Sequence, residues 1–184
     1  MRVFFTLLTT LMLFCFNSAI SQTIAKNKRD EFKGYSIIKT DWEVLFKKGS
    51  SWTSNSTSLK YRFTKIDETI MLDIKMILLE GKVFSISKYN ELIFLFDDDT
   101  TLTYKSLYDV VASEGGAATG LWGASLWGLM ASYSSEHDID LKELESKKVK
   151  KIRIYTDEGF VEKEIKSKHS DILKKCIKLI KEQE

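Results

Sequence analysis

His137 and His169 are the chain's two imidazoles, and each has acids and hydroxyls close by in sequence. His137 stands in Glu136-His137-Asp138 with Asp140 two residues on, a group able in principle to hold a cation. A closed zinc site needs three or four N, S or O ligands around one point, usually two of them at a fixed local spacing. The chain has no His-x-x-x-His and no Cys-x-x-Cys, so a turn followed by a helix start accounts for these acids. Asp97-Asp98-Asp99 offers oxygen ligands of the kind calcium takes. The alternating acids, central glycine and distal glutamate of a calcium loop are missing, and a tight turn is expected instead. Ser-His-Asp catalysis is a matter of spatial arrangement, but no Gly-x-Ser-x-Gly elbow presents a nucleophile. No catalytic residue, cofactor site or metal site is assigned.

The cysteines number two. Cys15 lies in the apolar N-terminal stretch behind Phe14, whose bulk argues against lipid attachment there. Cys176 falls on an apolar helical stripe and is expected to be a core thiol. If residues 1–21 are removed, no intramolecular disulfide can form.

Residues 115–135 carry no charge, and Leu-Trp-Gly occurs there at 121–123 and again at 126–128. Gly116, Gly120, Ala124, Gly128 and Ser132 recur at spacing four, the small-xxx-small pattern that lets helices approach closely. Read that way, the segment is a zipper helix for membrane association or self-assembly. Glycine in a helix costs about 0.5–1 kcal/mol per residue, and β-patterned sequence lies on both sides. The favoured expectation is therefore a Gly-rich loop leading into a strand with Trp127, Leu129 and Tyr133 turned inward. Leu121, Trp122, Leu126 and Trp127 are the candidate partner contacts, since uncharged aromatic loops are common contact surfaces. The run is no phosphate loop: Ala117 replaces the second glycine of a dinucleotide fingerprint, and no Gly-Lys-Ser/Thr occurs.

The elements that must position these residues are mostly strands. Trp42, Val44 and Phe46 alternate with other residues, as do Leu59, Tyr61 and Phe63, and Ile70 through Leu78 gives the cleanest half-buried pattern. Val83–Ser87 reads as a further strand. Glu91–Phe96 is apolar on both faces and is expected to lie centrally. Asp97–Thr100 turns into Leu102 and Tyr104, and Asp157-Glu158-Gly159 reads as a hairpin between Val149–Thr156 and Phe160–Lys166. Asp140 can cap a short helix over Leu141–Ser146. The C-terminal helix, about Ser170–Lys181, has Ser170 at its start and Ile172, Leu173, Cys176, Ile177, Leu179 and Ile180 on one stripe. His169, just before it, reads as solvated. The expected fold is mainly β (α+β): an antiparallel sheet, sandwich or half-barrel, with one short helix and a packing helix at the end.

Arg2 followed by apolar Val3–Phe16, then Ala19-Ile20-Ser21, has the parts of a cleavable export signal. The apolar stretch is short of the roughly 20 residues a spanning helix needs. The expected division is a signal peptide at 1–21, a polar linker at 22–33 and one β-rich domain at 34–184. The formal charge of +2 becomes +1 once Arg2 is removed, and Lys and Glu are interspersed. Nothing in the chain resembles the basic stripe that nucleic-acid binding needs, and no nucleic-acid partner is expected.

Val149–Ile165 with its Asp157-Glu158-Gly159 turn, Asp30-Glu31-Phe32-Lys33-Gly34, the Tyr61–Leu72 strand pair and the Gly115–Gly120 run together resemble a group of small exported proteins of Bacteroidota. The resemblance carries over no activity. The resemblance spans most of residues 30–182 and implies a β-rich envelope or secreted domain with a Gly-rich loop and a final helix. The leading expectation is a non-enzymatic binding or structural domain of the periplasm or exterior, contacting a protein or envelope component. Membrane association or self-assembly through Gly116–Ser132 is the second reading, and a hydrolase the third.

Overall fold

A computed structural model describes residues 22–49, 57–78, 83–114, 127–134 and 139–183. The expected leader at 1–21, His137 and the contact candidates Leu121, Trp122 and Leu126 lie outside those residues.

The fold is mainly β, as the alternating pattern predicts. One antiparallel sheet contains β1 (Ile24–Arg29), β2 (Ser36–Thr40), β3 (Glu43–Lys48), β4 (Thr57–Ile66), β5 (Thr69–Leu78), β7 (Glu91–Phe96), β8 (Thr101–Ser106), β10 (Ser113–Glu114), β11 (Trp127–Ser134), β12 (Val149–Thr156) and β13 (Gly159–Glu164). Its order is β1-β2-β4-β5-β11-β8-β7-β12-β13, with β3 also on β4 and β10 also on β11. The short strands β6 (Ser85–Ile86) and β9 (Val110–Val111) pair separately. Two helices complete the chain, α1 (Ile139–Ser146) and α2 (Ser167–Lys181).

Register explains the core. Leu59, Met76 and Leu129 share one cross-strand row; Tyr61, Ile74 and Ala131 form the next, and Phe63, Leu72 and Tyr133 the third. All nine are buried. Side chains alternate across a strand, so these rows face inward together. Helix α2 lays Ile172, Leu173, Cys176, Ile177 and Ile180 onto that face and touches β2, β3, β4 and β12. The open sheet is strongly curled: Lys163 of β13 places its Nζ 5.3 Å from the Phe46 ring of β3, near the opposite end of the strand order. The inner face is therefore filled by helix and core, and the outer face is convex.

Several expectations need correction. Residues 22–33 are not linker throughout, because 24–29 form β1 against β2. Its side chains are largely exposed, as an edge strand rich in Lys and Arg allows, and so no apolar pattern announced it. In β3 the inward residue is Leu45, not the Trp42-Val44-Phe46 series. A bulge between Val44 and Phe46 against β4 resets the alternation. The expected Val83–Ser87 strand shrinks to Ser85–Ile86. Residues 127–134 are strand, so Gly128 and Ser132 are not part of a zipper helix. Helix α2 begins at Ser167, one turn before the expected cap. Ser170 is fully buried inside it, where its Oγ accepts a hydrogen bond from the Val149 N–H at 2.9 Å. Asp140 lies within the first turn of α1 rather than ahead of it.

Candidate functional site on the outer face of the sheet

Strands β2 and β3 both pair with the same edge of β4, β2 along Thr64–Ile66 and β3 along Thr57–Tyr61. The break between them carries Asp41 and Trp42. Thr40 closes it by accepting the Phe63 N–H on its Oγ1 at 3.0 Å. This interruption lets Trp42 turn onto the outer face, where the Arg62 guanidinium carbon lies 4.5 Å from the Trp42 ring centre and Lys75 Nζ lies 5.6 Å from it.

Beneath them sits Asp73. Arg62, Asp73 and Ser132 occupy one cross-strand row on β4, β5 and β11, on the side opposite the core. Strand alternation alone would give Asp73 to solvent, yet it is only 4% exposed. Arg62 Nε donates to its Oδ2 at 2.8 Å, Thr64 Oγ1 donates to the same oxygen at 2.8 Å, and Ser132 Oγ donates to Oδ1 at 2.7 Å. Since Ser132 spends its proton on the carboxylate, the 2.6 Å contact between Tyr108 and Ser132 has the phenol as donor. The chain of donors thus runs Tyr108 to Ser132 to Asp73, and the Ser132 carbonyl accepts the Leu107 N–H at 3.0 Å. A buried charge tolerates its desolvation only when paired and hydrogen-bonded, and Asp73 meets both conditions.

The face around this anchor is cationic. Lys26 lies opposite Lys39, and Lys60 opposite Lys75, with Arg62 two residues along from Lys60 on the same side. Lys28 follows Lys26 and pairs with Ile37. Burial lowers the Lys39 ammonium's pKa from its ordinary value, with Arg62 next in effect and Lys26 adding to it; burial, Lys60 and Arg62 lower that of Lys75. At the β1–β2 end a shallow groove of about 320 Å³ is lined by Lys26, Lys28, Asp30, Glu31, Phe32 and Ile37. The Phe32 ring there is fully exposed.

The groups singled out in the sequence take other roles. Asp97-Asp98-Asp99 is a hairpin turn between β7 and β8, and two of its acids are matched by lysines: Lys147 Nζ is 3.1 Å from Asp98 Oδ2, and Lys150 Nζ is 2.9 Å from Asp99 Oδ1. Hydrogen bonds from the Thr100 hydroxyl and N–H, with Lys147 beyond them, hold the Asp98 carboxyl down at about 2. Asp157, in the β12–β13 turn, clamps β6 and its flank by accepting from Ser85, Ser87 and Asn90. Cys176 is a core thiol, as expected. The Tyr61 hydroxyl reaches its Sγ at 3.6 Å, and burial pushes the thiol up to about 11. His169 is half-buried, not freely solvated, and burial together with Lys168 and Lys166 pulls its pKa down. Among the described residues no three His, Cys, Asp or Glu side chains converge as a metal site. No helix among them is long and apolar enough to cross a membrane. Of the four contact candidates, Trp127 alone is described; it opens β11, with its backbone paired to Leu78 and Glu114.

No family model, curated protein or solved structure matches the chain.

Sequence reasoning missed the outer face. Its one visible signal was Asp73, the charge set in the middle of the most regular apolar alternation in the chain. The clustering of lysines depends on strand register, which linear order does not show.

Proposed function

We propose that the chain is an exported, non-enzymatic binding domain of the cell envelope, and that it holds an envelope component on the outer face of β2, β4, β5 and β11. The observation that carries this reading is the buried Asp73 fixing Arg62 under Trp42. A side chain held this way is pre-organised for contact, so less entropy is lost when a partner docks. Asp73 itself accepts three hydrogen bonds and is shielded from water, which suits an anchor rather than a general base. Strand β11 supplies Ser132 and the exposed Met130 to this face. The expected contacts Leu121, Trp122, Leu126 and Trp127 form a separate candidate surface, since position 127 is out of step with Met130 and Ser132 along β11.

The test is carried out in cells producing the full chain, with a photo-crosslinking residue in place of Trp42, Met130 or, as a control, Lys175 on the exposed side of α2. The expected result is a processed protein outside the cytoplasm that begins near Gln22, with a discrete adduct from positions 42 and 130 and none from 175. An unprocessed cytoplasmic protein, or equal adducts from all three positions, overturns the reading.

A further inference from the structure

We infer that the outer face of β1, β2, β4 and β5 binds a linear acidic polysaccharide, through the cation row Lys26, Lys39, Arg62, Lys60 and Lys75. This inference rests on the binding-domain reading and names the class of its ligand.

Charge segregation is the first support. The whole chain is nearly balanced, with Lys+Arg 28 against Asp+Glu 26, so a face this positive is a product of register and not of composition. Lys26, Lys39, Lys60 and Lys75 have no ion-pair partner among the described residues; Lys142, Lys175 and Lys178 on the helices have none either, and what sets the sheet face apart is that its lysines stand directly opposite one another, Lys26 to Lys39 and Lys60 to Lys75. Asp73 is the acid within the row, and Arg62 already matches it. Four of the other acids near this face lie at turns along one end: Asp30 accepts the Phe32 and Lys33 N–H groups, Asp67 accepts that of Ser36, and Glu31 and Glu68 are exposed beside them; Asp41, in the break between β2 and β3, accepts from the Thr23 hydroxyl. The middle of the face keeps its positive charge.

Shape and chemistry select the ligand. Directly opposed residues on neighbouring strands are about 5 Å apart, and same-side residues along a strand about 7 Å apart. The row therefore crosses from Lys26 to Lys39, steps past Thr64 to Arg62 and Lys60 along β4, and crosses to Lys75 on β5. A convex face touches a flat bilayer along a narrow strip, and the exposed Met130 and Phe32, set beside opposite ends of the row, are small payload for insertion. Single-stranded nucleic acid needs open aromatic faces on which bases stack. Trp42 has Arg62 and Lys75 over its ring instead, and the open Phe32 ring at one end of the row is a single platform, not the succession of rings that stacked bases use. A polymer with one carboxylate per sugar can follow the curve, and the groove beside Lys26 and Lys28 offers the free Phe32 ring to the C–H face of a sugar.

The probe is polygalacturonate, measured by calorimetry with the processed protein at low and at physiological salt, beside its fully methyl-esterified form. Lys39→Glu/Lys60→Glu/Lys75→Glu is compared with Lys142→Glu/Lys175→Glu/Lys178→Glu, which has the same net charge with the changes on the helices. Circular dichroism checks that each variant is folded; if the first is not, Lys60→Gln/Lys75→Gln replaces it. The inference expects binding to the acid polymer only, weakened by salt, and on the order of tenfold weaker in the sheet-face variant while the helix variant keeps it. Equal loss in both variants shows bulk attraction and overturns the inference. So does tighter binding to an oligonucleotide or to vesicles of anionic phospholipid. Absence of polygalacturonate binding, with the adduct at position 42 intact, overturns the polysaccharide assignment and leaves the binding-domain reading standing.

Discussion

Asp73 and Arg62 face each other across β5 and β4 on the convex side of the sheet, 2.8 Å apart, with the carboxylate side chain 6% exposed and the guanidinium side chain 18%. An ion pair on a solvent face usually contributes little, because water screens it and both side chains lose freedom. This one is largely dry. Thr64 and Ser132 satisfy the remaining carboxylate lone pairs, and the network ties three neighbouring strands together where β11 has only a short contact with β8.

Removing the carboxylate should therefore cost more than a surface pair is worth. Asp73→Ala leaves Arg62, Thr64 and Ser132 without their acceptor, and the expected loss is about 2–4 kcal/mol in urea unfolding. Ser132→Ala removes one donor and should cost about 1 kcal/mol. A change below 0.5 kcal/mol for Asp73→Ala, within the range of ordinary surface substitutions, would mean that the network does not hold the strands.

Cys176 predicts an alkaline limit. Its thiol titrates at about 11 in the folded chain against an ordinary 9.0, so the folded state resists ionisation. A raised value contributes stability that is complete below pH 9.0 and is lost as the pH climbs through about 11. Tyr61, raised by burial and by the thiol beside it, acts in the same direction. Unfolding free energy should fall over this window in the native sequence and fall less in Cys176→Ala. A thiol reagent at pH 8 should label Cys176 of a chain beginning at Gln22 only after denaturation; rapid labelling of that folded chain contradicts a buried thiol.

Asp98 tests which neighbour governs the β7–β8 turn. Its depressed value of about 2 means that its favourable interactions persist above 3.8 and disappear as the pH falls through about 2. The hydrogen bonds from Thr100 outrank Lys147 as the cause. Carboxyl NMR titration should therefore show a larger upward move in Thr100→Val than in Lys147→Ala. The reverse order would assign the turn to charge pairing.

How far the sequence reached depends on how local each signal is. Leu59, Tyr61 and Phe63 read correctly because a half-buried strand writes its orientation in every second residue. The same rule failed for Trp42, Val44 and Phe46, since one bulge shifts the phase without leaving a mark. β1 was hidden because an exposed edge strand needs no apolar side. Ser170 resembled a cap, but its partner is the Val149 N–H on another element, which no local pattern could supply. Asp73 and the lysines of the outer face are the largest case. Lys26, Lys39, Lys60 and Lys75 are scattered over some fifty positions and meet only through the pairing of β1 with β2, β2 with β4 and β4 with β5. Tyr108, which shields Ser132, comes from the chain just after β8.

Those lysines come together only in the folded sheet, and lysine footprinting reads that meeting directly. The protein is acetylated briefly with and without polygalacturonate, and each modified lysine is quantified by mass spectrometry. The polymer should protect Lys26, Lys39, Lys60 and Lys75 together while Lys142, Lys175 and Lys178 react as before. Protection spread evenly over both groups, or confined to the helices, contradicts a binding face on the outside of the sheet.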